Sequence, residues 1–567
     1  MDIKQRKILI LGGWGLVGMA IIRKLIKHNP KEIIILSLRE SEARDACKEI
    51  QKEAPNVKLT PEWGNIFVRT IFKDLPRSDI MDIPKNRKML IEDVLEGLDK
   101  EKLDSSFLNH LIEKYQPNIV IDSVNSATGL AYQDIYSGYY NLKQEMTKAI
   151  EKNVLTDELT TEMEKMLTTL YIPQIIRHIQ ILHASMVNNK TGLYIKIGTT
   201  GTGGMGLNIP YTHSEEKPSR VLLSKTSLAG AHSMLLFLMG RTPDGPIIKE
   251  IKPAAAIGWK RIGYGTIKKQ GKPIKLYDCT VEKAEKLDEL WNFEGESGWT
   301  NTGENLKSVF IDSGENGIFS LPEFETITTA GQMEFVTPEE IAANTIMEIM
   351  GDSTGHDIIN GLYNSVMNPT YRAGYMRHDA LEEMNYLQDK HDVESIAFEI
   401  LGPPRLSKIL FEASLIKKVC KSMTCIVSES AEELTSKLEI EISKNANLRS
   451  QMISIGLPIL MSDGKTLLRG PQVKIPVQKA RKTIDITSKK MDSWADAGWI
   501  DLRQKNVEMW QSRINEILSV NESLPENETS SRYHHGRKYW MVDEPLQIGK
   551  LASWIFINED KGLRIKS

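Results

Sequence analysis

The sequence predicts an α/β fold in which a parallel sheet carries helices on both faces, and three observations predict it. An apolar segment, residues 8–11, runs directly into glycines at positions 12, 15 and 18. A helical pattern with one apolar side follows at residues 19–26, and further apolar strands alternate with helical segments downstream. This alternation indicates a doubly wound parallel sheet of the Rossmann type.

The three glycines predict a nucleotide-binding turn. Gly12 lets the chain leave the strand tightly, Gly15 lets backbone N–H groups approach a pyrophosphate, and Gly18 lets the helix pack close to the strand. Glycines at this spacing also occur in tight turns of other kinds, and it is the flanking strand and helix that favour the nucleotide site. The cofactor contacts expected in this turn are Gly12, Gly13, Trp14, Gly15, Leu16, Val17 and Gly18.

Length and composition indicate a globular protein of two or three domains. The chain has 567 residues, of which 41% are hydrophobic and 26% charged, with a formal net charge of −3. This balance gives no reason to expect nucleic acid or an anionic membrane as a partner. The longest apolar run, residues 234–239, is far shorter than a bilayer span, so we expect a cytoplasmic protein.

The four cysteines lie at positions 47, 279, 420 and 425. They form no CxxC pair and have no nearby set of histidines, so neither a zinc site nor a disulfide framework is expected. The sequence therefore predicts buried thiols and no metal site.

The second strand, residues 31–39, ends where an acid would hold the ribose 2′-hydroxyl of NAD. Its last residues include Ser37 and Arg39 instead. A guanidinium binds a 2′-phosphate bidentately, whereas a carboxylate would repel it, so NADP is favoured over NAD. The alternative is that Arg39 only begins a solvated helix with Glu40 and Glu42.

Two further strands bring more candidate cofactor contacts to the same edge of the sheet. The third strand, residues 57–60, leads to Asn65, and the fourth, residues 117–122, leads to a turn of small polar residues. The candidates are Asn65, Ser123, Val124 and Asn125. Residues 67–116 and 134–170 are longer than ordinary connections and predict insertions.

The GxxGxxG spacing and the order of the later segments resemble the extended branch of the short-chain dehydrogenase/reductase superfamily, which includes NAD-dependent epimerases and dehydratases. Where that branch has Gly-Asp-Ile, with its acid at the adenine, Asn65 keeps a hydrogen-bonding group but loses the charge. The resemblance continues through a fifth strand at 192–197, a sixth at 246–253, a substrate-lobe strand at 271–278 and a return to the main domain at 335–342.

The resemblance also implies a catalytic region after the fifth strand. Thr200, or its neighbour Thr199, takes the position of the superfamily's hydroxyl, and Lys225 takes that of its lysine. The tyrosine position of the YxxxK motif holds Val221, which cannot exchange a proton. Two residues upstream are candidate replacements or else ordinary loop residues, Tyr211 and His213. A second YxxxK spacing, Tyr139 with Lys143, follows the wrong strand to be catalytic.

The resemblance ends near residue 404. We expect residues 1–403 to form an extended short-chain dehydrogenase-like Rossmann domain with a small substrate lobe, and residues 404–567 to form an additional C-terminal α+β region. In that region the sequence predicts a strand at 551–557 and the burial of three tryptophans, Trp494, Trp499 and Trp510.

Two functions remain open. One is an NADP-dependent oxidoreductase, epimerase or dehydratase that acts on a polar small molecule, favoured by the glycines and Lys225. The other is a non-catalytic NAD(P)-binding structural or redox-sensing protein, favoured by Val221. The sequence names neither the substrate nor the role of the C-terminal region, and it leaves a homodimer open.

Overall fold

The computed structural model describes residues 1–131, 133, 135–198, 220–253, 256–269, 271–287, 290–292, 298–314, 317–329, 335–352, 358–359, 364–367, 370–398, 404–476, 483–527 and 535–559. So far as they are described, residues 1–204, 218–258 and 334–375 form one compact unit, and residues 259–333 and 376–567 form a second.

The described strands are β1 (Lys7–Leu11), β2 (Glu32–Ser37), β3 (Leu59–Trp63), β4 (Ile119–Asp122), β5 (Leu193–Ile197), β6 (Ile247–Pro253), β7 (Arg261–Thr266), β8 (Lys268–Lys269), β9 (Lys272–Pro273), β10 (Lys275–Asp278), β11 (Glu285–Lys286), β12 (Leu290–Asn292), β13 (Thr300–Asn305), β14 (Lys307–Asp312), β15 (Ile318–Phe319), β16 (Ile358–Ile359), β17 (Asn364–Met367), β18 (Ile459–Leu460), β19 (Thr466–Leu468), β20 (Thr483–Asp485) and β21 (Ile500–Asp501).

The described helices are α1 (Leu16–Leu25), α2 (Glu40–Glu53), α3 (Arg77–Asp82), α4 (Pro84–Leu95), α5 (Lys100–Ser105), α6 (Phe107–Tyr115), α7 (Ser126–Ala131), α8 (Ile135–Lys152), α9 (Asp157–Leu167), α10 (Tyr171–Asn188), α11 (Arg220–Arg241), α12 (Leu321–Thr328), α13 (Pro338–Met350), α14 (Tyr371–His391), α15 (Pro404–Val419), α16 (Met423–Ser428), α17 (Ala431–Lys444), α18 (Ala446–Ser454), α19 (Ser488–Gly498), α20 (Gln504–Ser523) and α21 (Ile548–Asn558).

The first unit is built on a sheet of eight strands in the order β16-β17-β6-β5-β4-β1-β2-β3. Strands β1 to β6 are parallel, β17 continues the parallel pairing beside β6, and β16 is antiparallel. The order 3-2-1-4-5-6 confirms the predicted Rossmann-type sheet. In this order the chain reverses direction across the sheet between β1 and β4, and such a switch point is where ligands bind in open α/β sheets.

Both faces of the central strand β1 are buried, and successive side chains of a strand point to opposite sides. In β1, Ile8 and Ile10 belong to one apolar cluster with α1 and α13, while Leu9 and Leu11 belong to another with α6 and α10. The apolar segments that predicted the strands are therefore apolar because helices cover them on both sides.

The two predicted insertions are helical. The first contains α3 to α6, and the second contains α8 and α9. Arg87 on α4 joins them, because its Nε donates to Glu164 at 2.9 Å and its Nη1 donates to the carbonyl of Met81 at 2.7 Å.

A buried ion pair lies at the carboxyl ends of β4 and β5. Lys196 Nζ lies 2.9 Å from Asp122 Oδ2, with side chains 3% and 0% exposed. The same ammonium donates to the carbonyl of Val124 at 2.7 Å and to Ser126 Oγ at 3.2 Å, and the hydroxyl of Tyr194 donates to Asp122 at 2.8 Å. The ion pair therefore connects two strands with the turn that follows β4.

The electrostatics of this pair fit an ionised carboxylate. Burial alone would raise the pKa of the Asp122 carboxyl, but the Lys196 charge and its hydrogen bonds bring that pKa below its ordinary value. On the next strand, burial raises the pKa of Glu250, whose Oε1 accepts a hydrogen bond from Ser233 at 3.0 Å. Burial also lowers the pKa of His178, which lies near the Lys196–Asp122 pair, to about 4.

The second unit contains several small sheets packed with helices. A four-stranded sheet has the order β11-β19-β18-β21, and a three-stranded one has the order β15-β14-β7. Its apolar core includes Trp291 and Trp499, whose ring centroids lie 5.6 Å apart. Trp499 and Trp510 are buried, as predicted, and Trp494 is half-buried beside them.

Within this unit, two ion pairs join residues 259–333 to the C-terminal region. Arg449 donates to both oxygens of Asp278 at 2.7 Å, and Arg469 Nε donates to Glu285 at 2.8 Å. These contacts are among those that join residues 259–333 to residues 376–567. The domain boundary at 403/404 stays a prediction.

Two local predictions are wrong. Residues 551–557 are helical in α21, because buried side chains recur three and four positions apart, at Ile548, Leu551, Ala552 and Ile555. A short apolar run fits a strand or a buried helix equally well. Cys420 and Cys425 form a disulfide with Cα atoms 5.7 Å apart. Their spacing in the sequence did not indicate a disulfide, because it is the turn between α15 and α16 that brings the two cysteines together.

Within the described parts of the chain, no helix has both the length and the apolar character needed to cross a bilayer.

We expect the Lys196→Met variant to lower the free energy of unfolding by about 3–5 kcal/mol, because it leaves Asp122 charged, buried and without its cation. Adding Asp122→Asn should restore much of the loss. Urea denaturation measures both. The control is Arg44→Met, which breaks an exposed pair with Glu40 and should cost at most about 1 kcal/mol. Equal losses for the two single variants would contradict the structural role of the buried pair.

Candidate functional site

The glycine turn between β1 and α1 is formed by close backbone packing. Gly12 has φ +81°, and a Cβ there would lie 2.9 Å from Ser123 Oγ. A Cβ at Gly18 would lie 2.9 Å from Gly13 Cα and would clash with the carbonyl oxygen of Gly12. A side chain at Gly12 would crowd the turn after β4, and one at Gly18 would crowd the glycine turn itself, so the sequence pattern and the geometry agree.

The amides of the turn divide into two groups. Gly12 and Gly13 donate to the carbonyl of Leu36 at 3.0 and 2.8 Å, which ties the turn to β2. The first backbone hydrogen bond of α1 runs from Met19 to Gly15, and no side chain caps the helix. The N–H groups at positions 16 to 18 therefore precede the helical ladder, where they and the helix dipole suit an anion such as a pyrophosphate.

Ser37 has a structural task in the same turn. It is buried at the end of β2, and its Oγ accepts a hydrogen bond from the backbone N–H of Trp14 at 3.2 Å. The hydroxyl thus fixes the conformation of the glycine turn. Its predicted contact with a 2′-phosphate stays a prediction.

Arg39 lies two residues farther, where the chain enters α2. It is the exposed N-cap residue of that helix. Arg39 therefore does begin a helix with Glu40 and Glu42, as the alternative interpretation stated. Glu40, the acid that follows Arg39 in the sequence, forms an ion pair with Arg44 at 2.7 Å. Among the described side chains, none forms an ion pair with Arg39, and its guanidinium is available to a phosphate.

The candidates after β3 and β4 lie in tight turns at the same edge of the sheet. Asn65 is half-buried, and its Oδ1 accepts a hydrogen bond from Phe67 N at 3.0 Å. Ser123 donates from Oγ to the carbonyl of Leu11 at 2.8 Å, which joins the turn after β4 to the end of β1. Val124 is held through its carbonyl by Lys196, and Asn125 is exposed.

The Lys196–Asp122 pair is the feature of the candidate site that sequence reasoning missed. Through the hydrogen bonds of Lys196, the pair holds the turn at positions 123–126 in place. This turn is one wall of the candidate site. A signal was present, because each residue is a charged side chain at the end of an otherwise apolar strand, and such a residue needs a buried partner.

Only part of the predicted catalytic set lies within the described residues. Lys225 is on α11 and is 2% exposed. The chain leaves β5 at the carboxyl edge of the sheet and α11 returns toward β6, so the first turns of α11 lie toward that edge. Thr200, Tyr211 and His213 lie outside the described residues, as does the side chain of Val221.

A group with metal-ligand spacing also occurs among the described residues. The sulfurs of Cys420 and Cys425 lie near a carboxylate oxygen of Glu429, all within 4.8 Å of one another. Both sulfurs are joined in the disulfide, and thiolate is the form of cysteine that binds metals. This group therefore offers no complete ligand set.

Several solved structures have a distant likeness to this chain. Pen from Bacillus thuringiensis has 10% identity and a TM-score of 0.22, over 45% of this chain and 50% of that one, so the match spans half the length of Pen. A Sphingobium yanoikuyae short-chain dehydrogenase, solved with NADPH, has 11% identity and a TM-score of 0.27, covering 69% and 96%. The Bordetella bronchiseptica enzyme WbmH, solved with NAD+, has 13% identity and a TM-score of 0.26, covering 61% and 72%. These likenesses are too distant to carry a function.

No curated protein sequence matches the chain. A family model does match, over residues 276–560, and it is described as the β-methylindole-3-pyruvate reductase C-terminal domain. Because this model spans half of the chain, the protein belongs to the family of the β-methylindole-3-pyruvate reductase C-terminal domain.

Proposed function

We propose that the protein is an NADP-dependent oxidoreductase of the short-chain dehydrogenase type that reduces the carbonyl group of a polar small molecule. The observation that carries this proposal is the glycine turn, whose packing leaves no room for a Cβ at Gly12 or Gly18 and leaves backbone N–H groups at the start of α1 without helical partners. The family description supports a reductase and makes a 2-oxo acid with an aromatic side chain the first substrate to test.

The preference for NADP rests on the residues after β2. The exposed Arg39 has no acidic partner among the described side chains, since Glu40 pairs with Arg44. A 2′-phosphate would supply the missing anion and accept two hydrogen bonds from one guanidinium. The ribose of NAD has only a hydroxyl there and would gain little.

The cofactor fits the residues present, and when bound it supplies the hydride that reduces the carbonyl carbon. The start of α1 would hold the pyrophosphate, and the turn at 123–125 would line the nicotinamide side. Lys225 would bond the ribose hydroxyls. The Lys196–Asp122 pair keeps the backbone of the turn in place and does not contact the substrate.

The substrate oxygen must receive a proton, and Val221 cannot give one. Tyr211 is the first candidate because a nearby ammonium, such as that of Lys225, would lower the pKa of its phenol. His213 is the second, and the hydroxyl of Thr200 would hold the carbonyl oxygen. Epimerisation or dehydration would use the same cofactor site with a different substrate.

The absence of a tyrosine at position 221 favours one other function, in which the protein binds NADPH without catalysis, as a structural or redox-sensing element. Hydride transfer separates the two functions. A homodimer and a small-molecule substrate are part of this proposal, while nucleic acid and membrane partners are not.

We expect NADPH to bind more tightly than NADH, and Arg39→Ala to remove most of the difference by weakening NADPH binding about 10–100-fold. Isothermal titration calorimetry with both nucleotides measures this. Lys48→Ala, which removes an exposed cation from the same helix, is the matched control and should change neither affinity. Equal affinities for the two nucleotides in the parent protein would refute the assignment of NADP.

We expect Tyr211→Phe to lower the turnover number by about 10²–10⁴-fold, because it removes the proton donor and keeps the ring. The affinity for NADPH should stay nearly unchanged. Reduction of an aromatic 2-oxo acid, followed by NADPH absorbance, is the assay. The control is Tyr139→Phe, since this exposed tyrosine of α8 stands in a YxxxK spacing with Lys143 but follows the wrong strand to be catalytic.

If Tyr211→Phe is fully active and His213→Ala is not, the histidine is the proton donor. If neither substitution matters and no carbonyl compound is reduced, the non-catalytic function replaces the proposed one.

A further inference from the structure

A cavity lies in the first unit, and the residues of the glycine turn do not line it. Its walls are the segment that follows Asn65 after β3, helix α4, the start of α6 and helix α10. None of the candidate cofactor contacts at positions 12–18, 37, 39 or 123–125 lines it. The cavity is therefore a separate place at which a small molecule could bind.

Arg177 of α10 lines this cavity and is buried, with 7% of its surface exposed. Its Nη2 donates to the backbone carbonyl of Glu96. Its Nε and Nη1 are buried and have no hydrogen-bond partner among the described residues. A buried guanidinium with two unused donors is costly, since both the charge and the N–H groups have lost water without gaining a partner.

The other charged groups of the cavity already have partners. Arg69 donates to both oxygens of Asp93, with Nε 2.8 Å from Oδ2 and Nη2 2.6 Å from Oδ1. Lys102 also lines the cavity, and its ammonium lies 2.5 Å from Asp99 and 3.4 Å from Glu96, two acids that are not part of the lining. Among the described side chains, none forms an ion pair with Arg177. Burial lowers the pKa of its guanidinium, and the charges of Asp93 and Asp99 partly offset that shift.

Arg87 shows what a satisfied arginine looks like in the same unit. It is as buried as Arg177, yet Nε, Nη1 and Nη2 all donate, to Glu164, Met81 and Thr161. Burial alone therefore does not explain why two donors of Arg177 lack partners. The difference lies in the surroundings of Arg177, which include the cavity.

The rest of the lining is mainly apolar, with Leu90 and Val94 from α4 and Ile181 from α10. His178 also lines the cavity, and it carries no second positive charge near neutral pH because burial lowers its pKa to about 4. One unpaired cation beside an apolar wall matches a ligand with one negative charge and a short apolar tail. A dianion such as phosphate would leave a charge unpaired.

We propose that this cavity binds a small monocarboxylate, with its carboxylate on the unused donors of Arg177 and its apolar tail against α4 and α10. The proposal does not depend on the proposed oxidoreductase function, because it uses a different set of residues.

Isothermal titration calorimetry with sodium butyrate as the probe tests the proposal on the full chain. We expect butyrate to bind and to raise the melting temperature of the parent protein. Arg177→Met, which keeps the length of the side chain and removes its donors, should weaken butyrate binding at least about tenfold. It should leave NADPH binding unchanged and should not lower the melting temperature.

Arg23→Met is the control, since Arg23 is a half-buried arginine of the same unit whose guanidinium pairs with Glu49 and Glu53. It should bind butyrate like the parent. Val94→Phe, which fills the apolar part and keeps Arg177, should also lose butyrate, and it provides the test if Arg177→Met fails to fold. Failure of butyrate to bind the parent, equal binding to Arg177→Met, or tighter binding of inorganic phosphate than of butyrate would overturn the proposal.

Discussion

The contact between helix α1 and the turn after β1 is the constraint on which the first unit depends. It exists only because Gly18 has no side chain, since a Cβ there would lie 2.9 Å from Gly13 Cα. This packing brings the start of α1 to the carboxyl edge of the sheet, where its N–H groups face outward. The same edge receives Arg39 after β2 and the turn after β4, so one backbone contact sets the place of the candidate site.

The buried pair of Lys196 and Asp122 lies on β4 and β5, on the other side of the switch point from the glycine turn. Lys196 reaches past its partner to the carbonyl of Val124 and to Ser126, and so it holds the wall opposite the glycine turn. An ion pair inside a sheet gains little over an apolar pair of similar size, so its presence indicates a positional role. We infer that the pair fixes the turn where a cofactor would need it.

Much of the first unit could be predicted from sequence because its signals are local. Apolar runs that end in glycine or polar turns located β1 to β6, and the glycine spacing located the tight turn between β1 and α1. The helix α21 and the Cys420–Cys425 disulfide were missed, since a short apolar run does not determine its own secondary structure and a disulfide depends on the path of the chain. The pairing of Asp278 with Arg449 was also beyond local patterns, because it joins residues 171 positions apart. The proton donor stays a sequence prediction, since Tyr211 and His213 lie outside the described residues.

A crystal structure of the protein with NADPH tests the central claim most directly. The account predicts pyrophosphate oxygens about 3 Å from the backbone N–H groups of Leu16 and Val17, and the 2′-phosphate on the guanidinium of Arg39. The nicotinamide should lie beside the turn that Lys196 holds. A nucleotide bound elsewhere, or one whose pyrophosphate does not contact the start of α1, would contradict it.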